Sequence, residues 1–193
     1  MTKLSGTVLD GGSRPEGRGA GMGPRNEGRK MRPLRVDVQT GVTAWAPRPR
    51  DIATWAGTAI GRRAAGGELG VRVVGAAESR RLNARYRGKD KPTNVLSFPP
   101  LPLPEPVSGA PADRGAHGAD ARPLGDLVIC AQVVRSEARQ QGKLLQAHWA
   151  HLVVHGALHL IGYDHEREAE AKRMERREVA VLRRLGFANP YRV

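Results

Sequence analysis

HLVVHGALHLIGYDH, residues 151–165, places four histidines in fifteen positions and separates them with Val, Leu and Ile. A lone histidine on an apolar stretch is usually a packed residue with one hydrogen-bond partner. Four at helical spacing strain that reading. With His148 included, the rings of His148, His151, His155 and His159 fall at i, i+3, i+7 and i+11, one face of one helix. A rise of about 1.5 Å per residue puts His151 and His159 about 12 Å apart along the axis. Zinc–nitrogen bonds are about 2.0–2.1 Å, so an i, i+4 pair can share an ion while an i, i+4, i+8 trio on a straight helix cannot.

The third ligand must therefore come from a chain reversal, and the sequence offers one. Gly162 stands where the helix should end, and the turn Gly162-Tyr163-Asp164 can carry His165 back over the preceding turn. His155-x3-His159-x5-His165 then supplies three neutral imidazoles, a set that suits Zn2+ and leaves a fourth position open for water, as in catalytic zinc sites. One zinc ion per chain is the expected cofactor. His151 and His148, one and two turns back, are open to supporting the ligands, touching substrate or packing on a sheet; packing is the default for each. His117 reads as incidental. Zinc-peptidase helices read HExxH, with the Glu as general base. Here Gly156 occupies that position, so peptidase chemistry lacks its base, and Gly156 with Ala157 leaves room for bulky material to approach.

The elements that must position these residues follow from periodicity. LRVDV (34–38) alternates as a half-buried strand, and RDIATWAGTAIGRRAA (50–65) puts Ile52, Trp55, Ala56, Ala59 and Ile60 on one helical face before Gly66-Gly67 stops it. ELGVRVVG (68–75) is a second strand and AAESRRLNARYR (76–87) a short basic helix. NVLSF (94–98), bounded by prolines, is a third strand; DLVIC (126–130) is a fourth, apolar enough for the sheet centre. Helices follow over 131–141, 145–161 and 166–185, the last with Met174, Val181, Leu182 and Leu185 on one side and Gly186 to close it. Its mixed-sign charges, such as Glu168 and Lys172 at i, i+4, read as a solvated face. The order β-α-β-α-β-β-α-α-α predicts an α+β fold: one small mixed sheet of about four strands packed with helices, the metal-site helix in the C-terminal half.

At 193 residues the chain has the size of one domain with a real core. Residues 1–30 hold eight of the 24 glycines with no apolar periodicity, and residues 99–123 hold seven of the 14 prolines. Neither stretch can bury enough apolar area to offset chain entropy. The expected organisation is a disordered basic tail over 1–31, a folded domain over 32–193 that opens just after Met31, and a flexible Pro-rich loop over 100–122. A net charge of +13 and a pI near 11.1 favour a polyanionic partner, nucleic acid or an anionic membrane. The single cysteine, Cys130, excludes an internal disulfide framework, fits a reducing compartment and reads as a small buried hydrophobe. No apolar run reaches the ~18 residues of a membrane span, and the N-terminus carries no secretory pattern. A cytoplasmic protein without membrane association is expected.

HGALHLIGYDH (155–165) resembles the signature of the YbeY family, single-strand-specific metallo-endoribonucleases of bacterial ribosomal RNA maturation. LNARYRGKDKPTNVLSFP (82–99) is similar to that family's second signature and LGDLVIC (124–130) to a third, while EARQQGK (137–143) and LGFANPY (185–191) also fit. The likeness covers about residues 34–193 apart from the Pro-rich insert; that insert and the tail are longer than the family pattern. It implies an α+β fold, zinc held by His155, His159 and His165, and a catalytic Arg87 in YRGKD. It also implies ribosomal RNA precursors as substrate, in 16S rRNA 3′ end maturation and ribosome quality control, with the small ribosomal subunit and its assembly factors as partners.

Read physically, Arg87 belongs to a basic cluster with Arg80, Arg81, Arg85, Lys89 and Lys91, with Asp90 inside it. A guanidinium fork matches phosphate oxygens and the charge that develops in phosphoryl transfer. Arg85, Lys89 and Lys91 are expected to hold substrate phosphates, a solvated helix end being the alternative for the outer members. A basic channel too narrow for a duplex would select single strands. The general base is open between Asp164, Asp90 and no side chain at all. Two other functions compete: a zinc hydrolase of another substrate, and a ribosome-associated RNA-binding assembly factor whose metal is structural.

Overall fold

A computed structural model of the chain describes residues 34–42, 45–61, 66–100 and 122–192. The tail, His117 and nearly all of the 100–122 loop lie outside these residues. In chain order the elements are β1 (Arg35–Thr40), α1 (Pro49–Ile60), β2 (Gly67–Val74), α2 (Ala76–Arg87), β3 (Val95–Phe98), β4 (Arg122–Cys130), α3 (Ala131–Gln140), α4 (Leu145–Leu160) and α5 (Glu168–Arg184). The strands form one open mixed sheet in the order β1-β2-β4-β3, with β1, β2 and β4 parallel and β3 antiparallel to β4. This is the α+β arrangement the periodicity predicts. β4 lies inside the sheet, and its Leu127, Ile129 and Cys130 are wholly buried, as a continuous apolar run requires.

Two boundaries move. α1 ends at Ile60, where Gly61 adopts φ 61, and Gly67 opens β2 instead of terminating the helix. β4 begins at Arg122, four residues before Asp126, because Arg122 and Pro123 pair with Gly67 and Glu68 of β2. The register then slips past Leu124, a bulge of the kind that tolerates proline in a sheet. Gly125 follows at φ 111, and a Cβ on it would lie 2.2 Å from the Phe98 carbonyl oxygen and 3.0 Å from Leu160 Cδ2. Only glycine fits there. The end of β3 and the C-terminal end of α4 thus close on one point.

α4 is apolar on nearly every side, with Trp149, Ala150, Leu152, Val153, Val154, Gly156, Ala157 and Leu158 buried, so it serves as the central helix. What approaches its small face is the protein's own sheet. A Cβ on Gly156 would stand 2.8 Å from Leu127 Cδ2, 3.2 Å from Ser97 Oγ and 3.3 Å from Val95 Cγ2. Gly156→Ala is therefore expected to overpack this contact and cost about 1–3 kcal/mol, read as a lower midpoint in denaturant unfolding. An unchanged midpoint would show that the sheet yields freely. A glutamate has no room at this position, so the missing peptidase base reflects packing as well as chemistry.

α5 corrects one expectation. Met174, Val181 and Leu182 face inward as predicted, and Lys172 reaches Glu168 at 2.5 Å on the solvent side. Glu178, however, does not share that solvated face. It lies four residues from both Met174 and Leu182, hence on the inner stripe, and is 0% exposed.

Candidate metal centre

The break at the end of α4 builds the site. Gly162 adopts φ 87, and the amides of Ile161 and Tyr163 return to the Leu158 carbonyl, both at 3.1 Å, while that of Gly162 returns to His159 at 3.0 Å. The chain doubles back, and Asp164 Oδ1 accepts the His165 backbone N–H at 2.7 Å. His155, His159 and His165 each offer a nitrogen, and these atoms lie within 4.8 Å of one another. His155 Nε2 and His159 Nε2 are 3.2 Å apart. Two nitrogens on one tetrahedral zinc stand about 3.3 Å apart, given bonds of about 2.0–2.1 Å. The His165 ring stacks on His155 at 5.5 Å and meets His159 edge-on at 4.8 Å. Burial first, then His155 and His165, holds the His159 imidazole below its ordinary pKa, which keeps its lone pair free. His155 and His159 are half-buried and His165 is exposed, so the trio opens to solvent on one side. It is the one such group of metal-capable side chains among the described residues.

Behind the trio stands Glu178. Its Oε1 accepts a hydrogen bond from His155 Nδ1 at 2.7 Å, and its Oε2 accepts one from His151 Nε2 at 3.1 Å and a short one from the Tyr191 hydroxyl. Burial pushes the Glu178 carboxyl up, but the hydrogen bonds from His151, His155 and Tyr191 outweigh it and bring it down to about 2. The Tyr191 hydroxyl is pushed up, by burial and then by Glu178. Sequence reasoning missed Glu178 because an acid in a helix of alternating charge looks like its neighbours. The signal that could have found it is its spacing from Met174 and Leu182.

His148 points to another carboxylate. Its Nε2 lies 2.9 Å from Glu137 Oε2, and both oxygens of Glu137 accept from Asn94 Nδ2 at 3.1 Å. Burial holds His148 below its ordinary pKa against the opposing pull of Glu137. His148 thus braces the segment that enters β3, a positioning role rather than a ligand's.

That segment carries the basic residues. Arg87 is the last residue of α2, and Gly88 follows in the left-handed region at φ 66. Two buried side chains of α2 pin the turn: Asn83 Nδ2 donates to the Lys91 carbonyl at 2.7 Å, and Ser79 exchanges hydrogen bonds with Thr93 at 2.8 and 3.0 Å. Arg85, Arg87, Lys89 and Lys91 are exposed, and Arg85 lies over the Tyr86 ring at 5.4 Å. Arg80 is bound to Asp90 by two bonds of 2.6 Å, so this pair leaves the cationic set. No hydrogen bond, ion pair or ring contact joins the basic residues to the histidine trio among the described residues. A chain of packing does connect their elements: Leu160, next to His159, and the Phe98 backbone flank Gly125, and the Phe98 ring meets Tyr86 edge-on at 5.0 Å.

The chain is an open α+β domain whose central helix and the turn after it bring three imidazoles into a group that could hold a metal ion, with glycine where the HExxH peptidase pattern has its acid. The family model for endoribonuclease YbeY matches residues 49–186, and the chain belongs to that family, one of metal-dependent endoribonucleases of ribosomal RNA processing and hence of hydrolases. Among solved structures, the solution structure of TM1509 from Thermotoga maritima is similar over 83% of this chain and 99% of that one, at 19% identity and a TM-score of 0.47. No described helix is long and apolar enough to cross a membrane.

Proposed function

We propose that the chain is a single-strand-specific, zinc-dependent endoribonuclease of ribosomal RNA precursors. Its proposed work is 16S rRNA 3′ end maturation and ribosome quality control in the cytoplasm, with the small ribosomal subunit and its assembly factors as partners. The observation that carries the reading is the convergence of His155, His159 and His165 within 4.8 Å, in a chain of net charge +13. The three imidazoles would hold the ion, and their all-nitrogen donor set fits Zn2+. When bound, zinc supplies Lewis acidity, which acidifies a water and polarises a phosphoryl oxygen.

The remaining steps fall to the protein's own side chains. Arg87, exposed at the end of a pinned helix, forks onto the scissile phosphate and meets the charge that grows there. Arg85, Lys89 and Lys91 hold flanking phosphates. Asp90 is unsuited to take a proton, because its hydrogen bond to Arg80 holds the carboxyl low. Asp164 anchors the ligand turn through the His165 N–H. No side chain is therefore assigned as general base.

The reading is tested by offering the zinc-loaded protein single-stranded RNA, duplex RNA and casein. Cleavage of the first alone is expected; casein cleavage, or none at all, contradicts it. Affinity for single strands should fall with salt at a slope of about −0.7 per phosphate neutralised, approaching about −3 if Arg85, Arg87, Lys89 and Lys91 all engage. A slope near zero in a filter-binding titration would remove the phosphate contacts from the account.

A further inference from the structure

We propose that Glu178 and Tyr191 are positioning residues for the metal centre: together they hold His155 in the tautomer that turns its Nε2 lone pair toward His159 and His165. This rests on reading the trio as metal ligands, and it adds three residues, Glu178, Tyr191 and His151, that lie outside the trio.

Glu178 is a carboxylate in an unfavourable place. The Glu178 side chain is 1% exposed, on the same stripe of α5 as Met174, Val181 and Leu182. A buried carboxylate is costly unless its oxygens are fully hydrogen-bonded, and an apolar residue would pack there with less penalty. What a carboxylate offers that an apolar side chain cannot is acceptance alone. Oε1 faces His155 Nδ1 at 2.7 Å, so Nδ1 carries a proton, and in the neutral ring the lone pair is then on Nε2. That nitrogen is the one 3.2 Å from His159 Nε2. A free imidazole divides between two tautomers and turns about its side-chain bonds; a carboxylate 2.7 Å from Nδ1 opposes both. A carboxylate behind a metal-binding histidine also makes the ligating nitrogen more basic.

Tyr191 and His151 secure the other oxygen. After α5 the chain leaves at Gly186, φ 85, and Phe187 meets Trp55 edge-on at 5.8 Å. Asn189 Oδ1 accepts the Tyr191 N–H at 3.0 Å, which sets the tyrosine so that its hydroxyl donates to Glu178 Oε2. Tyr191 is 46% exposed, so its ring contributes little to the core and its hydroxyl is the part put to use. His151 donates Nε2–H to the same oxygen and meets the Tyr191 ring edge-on at 5.4 Å, while its buried Nδ1 has no partner. A ring placed for its Nε2 bond alone has that character. The C-terminal segment is thereby tied to His155 through one carboxylate.

The test uses the full chain, first without metal. Nitrogen–proton NMR correlations of the histidine rings should show His155 protonated at Nδ1 and bare at Nε2. In Glu178→Gln that single tautomer should be lost, and zinc affinity, measured by competition with a chromophoric chelator, should fall about 10–100-fold. Glu178→Asp should recover part of the affinity, and Tyr191→Phe should lose less than about tenfold with the unfolding midpoint nearly unchanged. If Glu178→Gln does not fold, Tyr191→Phe and Glu178→Asp decide the matter. Wild-type zinc affinity in both of those variants, or an unchanged His155 tautomer in Glu178→Gln, overturns the proposal. Zinc binding that is unchanged in His159→Ala would instead overturn the ligand assignment, so the two failures are distinguishable.

Discussion

Replacing His159 by alanine is expected to remove zinc and RNA cleavage together. Bound metal should fall from about one ion per chain to a trace, and cleavage by about a thousandfold or more, since a catalytic ion supplies several kcal/mol of transition-state stabilisation. His159 is the member of the trio nearest both others: its Nε2 stands 3.2 Å from that of His155 and its ring 4.8 Å from that of His165, whereas the His155 and His165 rings are 5.5 Å apart. The fold should survive. The His159 ring is half-buried, and its hydrogen bonds go to His155 and to the Tyr163 backbone, both at the end of α4 and its turn rather than in the core. Metal analysis, a cleavage assay and a thermal melt on one preparation make the comparison. Loss of cleavage with zinc retained would move the ion to other ligands; loss of the fold would make His159 a structural residue.

Arg87→Ala is expected to separate what His159→Ala joins. Zinc content should stay at the wild-type level and turnover on single-stranded RNA should fall by about 10²–10³, the scale on which one preorganised donor acts on developing charge. Arg87 is exposed at the end of α2, and no hydrogen bond or ion pair holds it among the described residues, so stability should shift by no more than about 0.5 kcal/mol. Arg87→Lys should restore only part of the rate, because a point charge replaces a fork that grips two oxygens. Full activity in Arg87→Ala would confine the basic turn to non-specific attraction. Loss of zinc in the same variant would mean that Arg87 supports the ligands rather than the phosphate.

The parts legible in the sequence were those governed by local rules. The sheet's central strand, the order of elements and the three-histidine turn all followed from periodicity, apolar continuity and the left-handed preference of Gly162. β4 was longer than its apolar run because pairing with β2 and a bulge at Leu124 recruit Arg122 and Pro123, a tertiary matter. The puzzle of the remaining histidines was tertiary too. His148 and His151 both turn to carboxylates on other helices, Glu137 on α3 and Glu178 on α5, and no spacing rule pairs either histidine with its acid. Asp90 moved the other way, from a candidate base to the partner of Arg80. Spacing can show that two groups share a face, but it does not reveal what another element brings against them.

The centre of the account is one divalent ion held by nitrogens of His155, His159 and His165 with a place left open. X-ray absorption at the zinc edge, on full-length protein purified without added metal, addresses this most directly. The expected spectrum has three nitrogen neighbours at about 2.0–2.1 Å and one exchangeable oxygen, at about one zinc per chain. A zinc-free preparation that also fails to take up zinc, or a shell closed by four protein ligands, would contradict it.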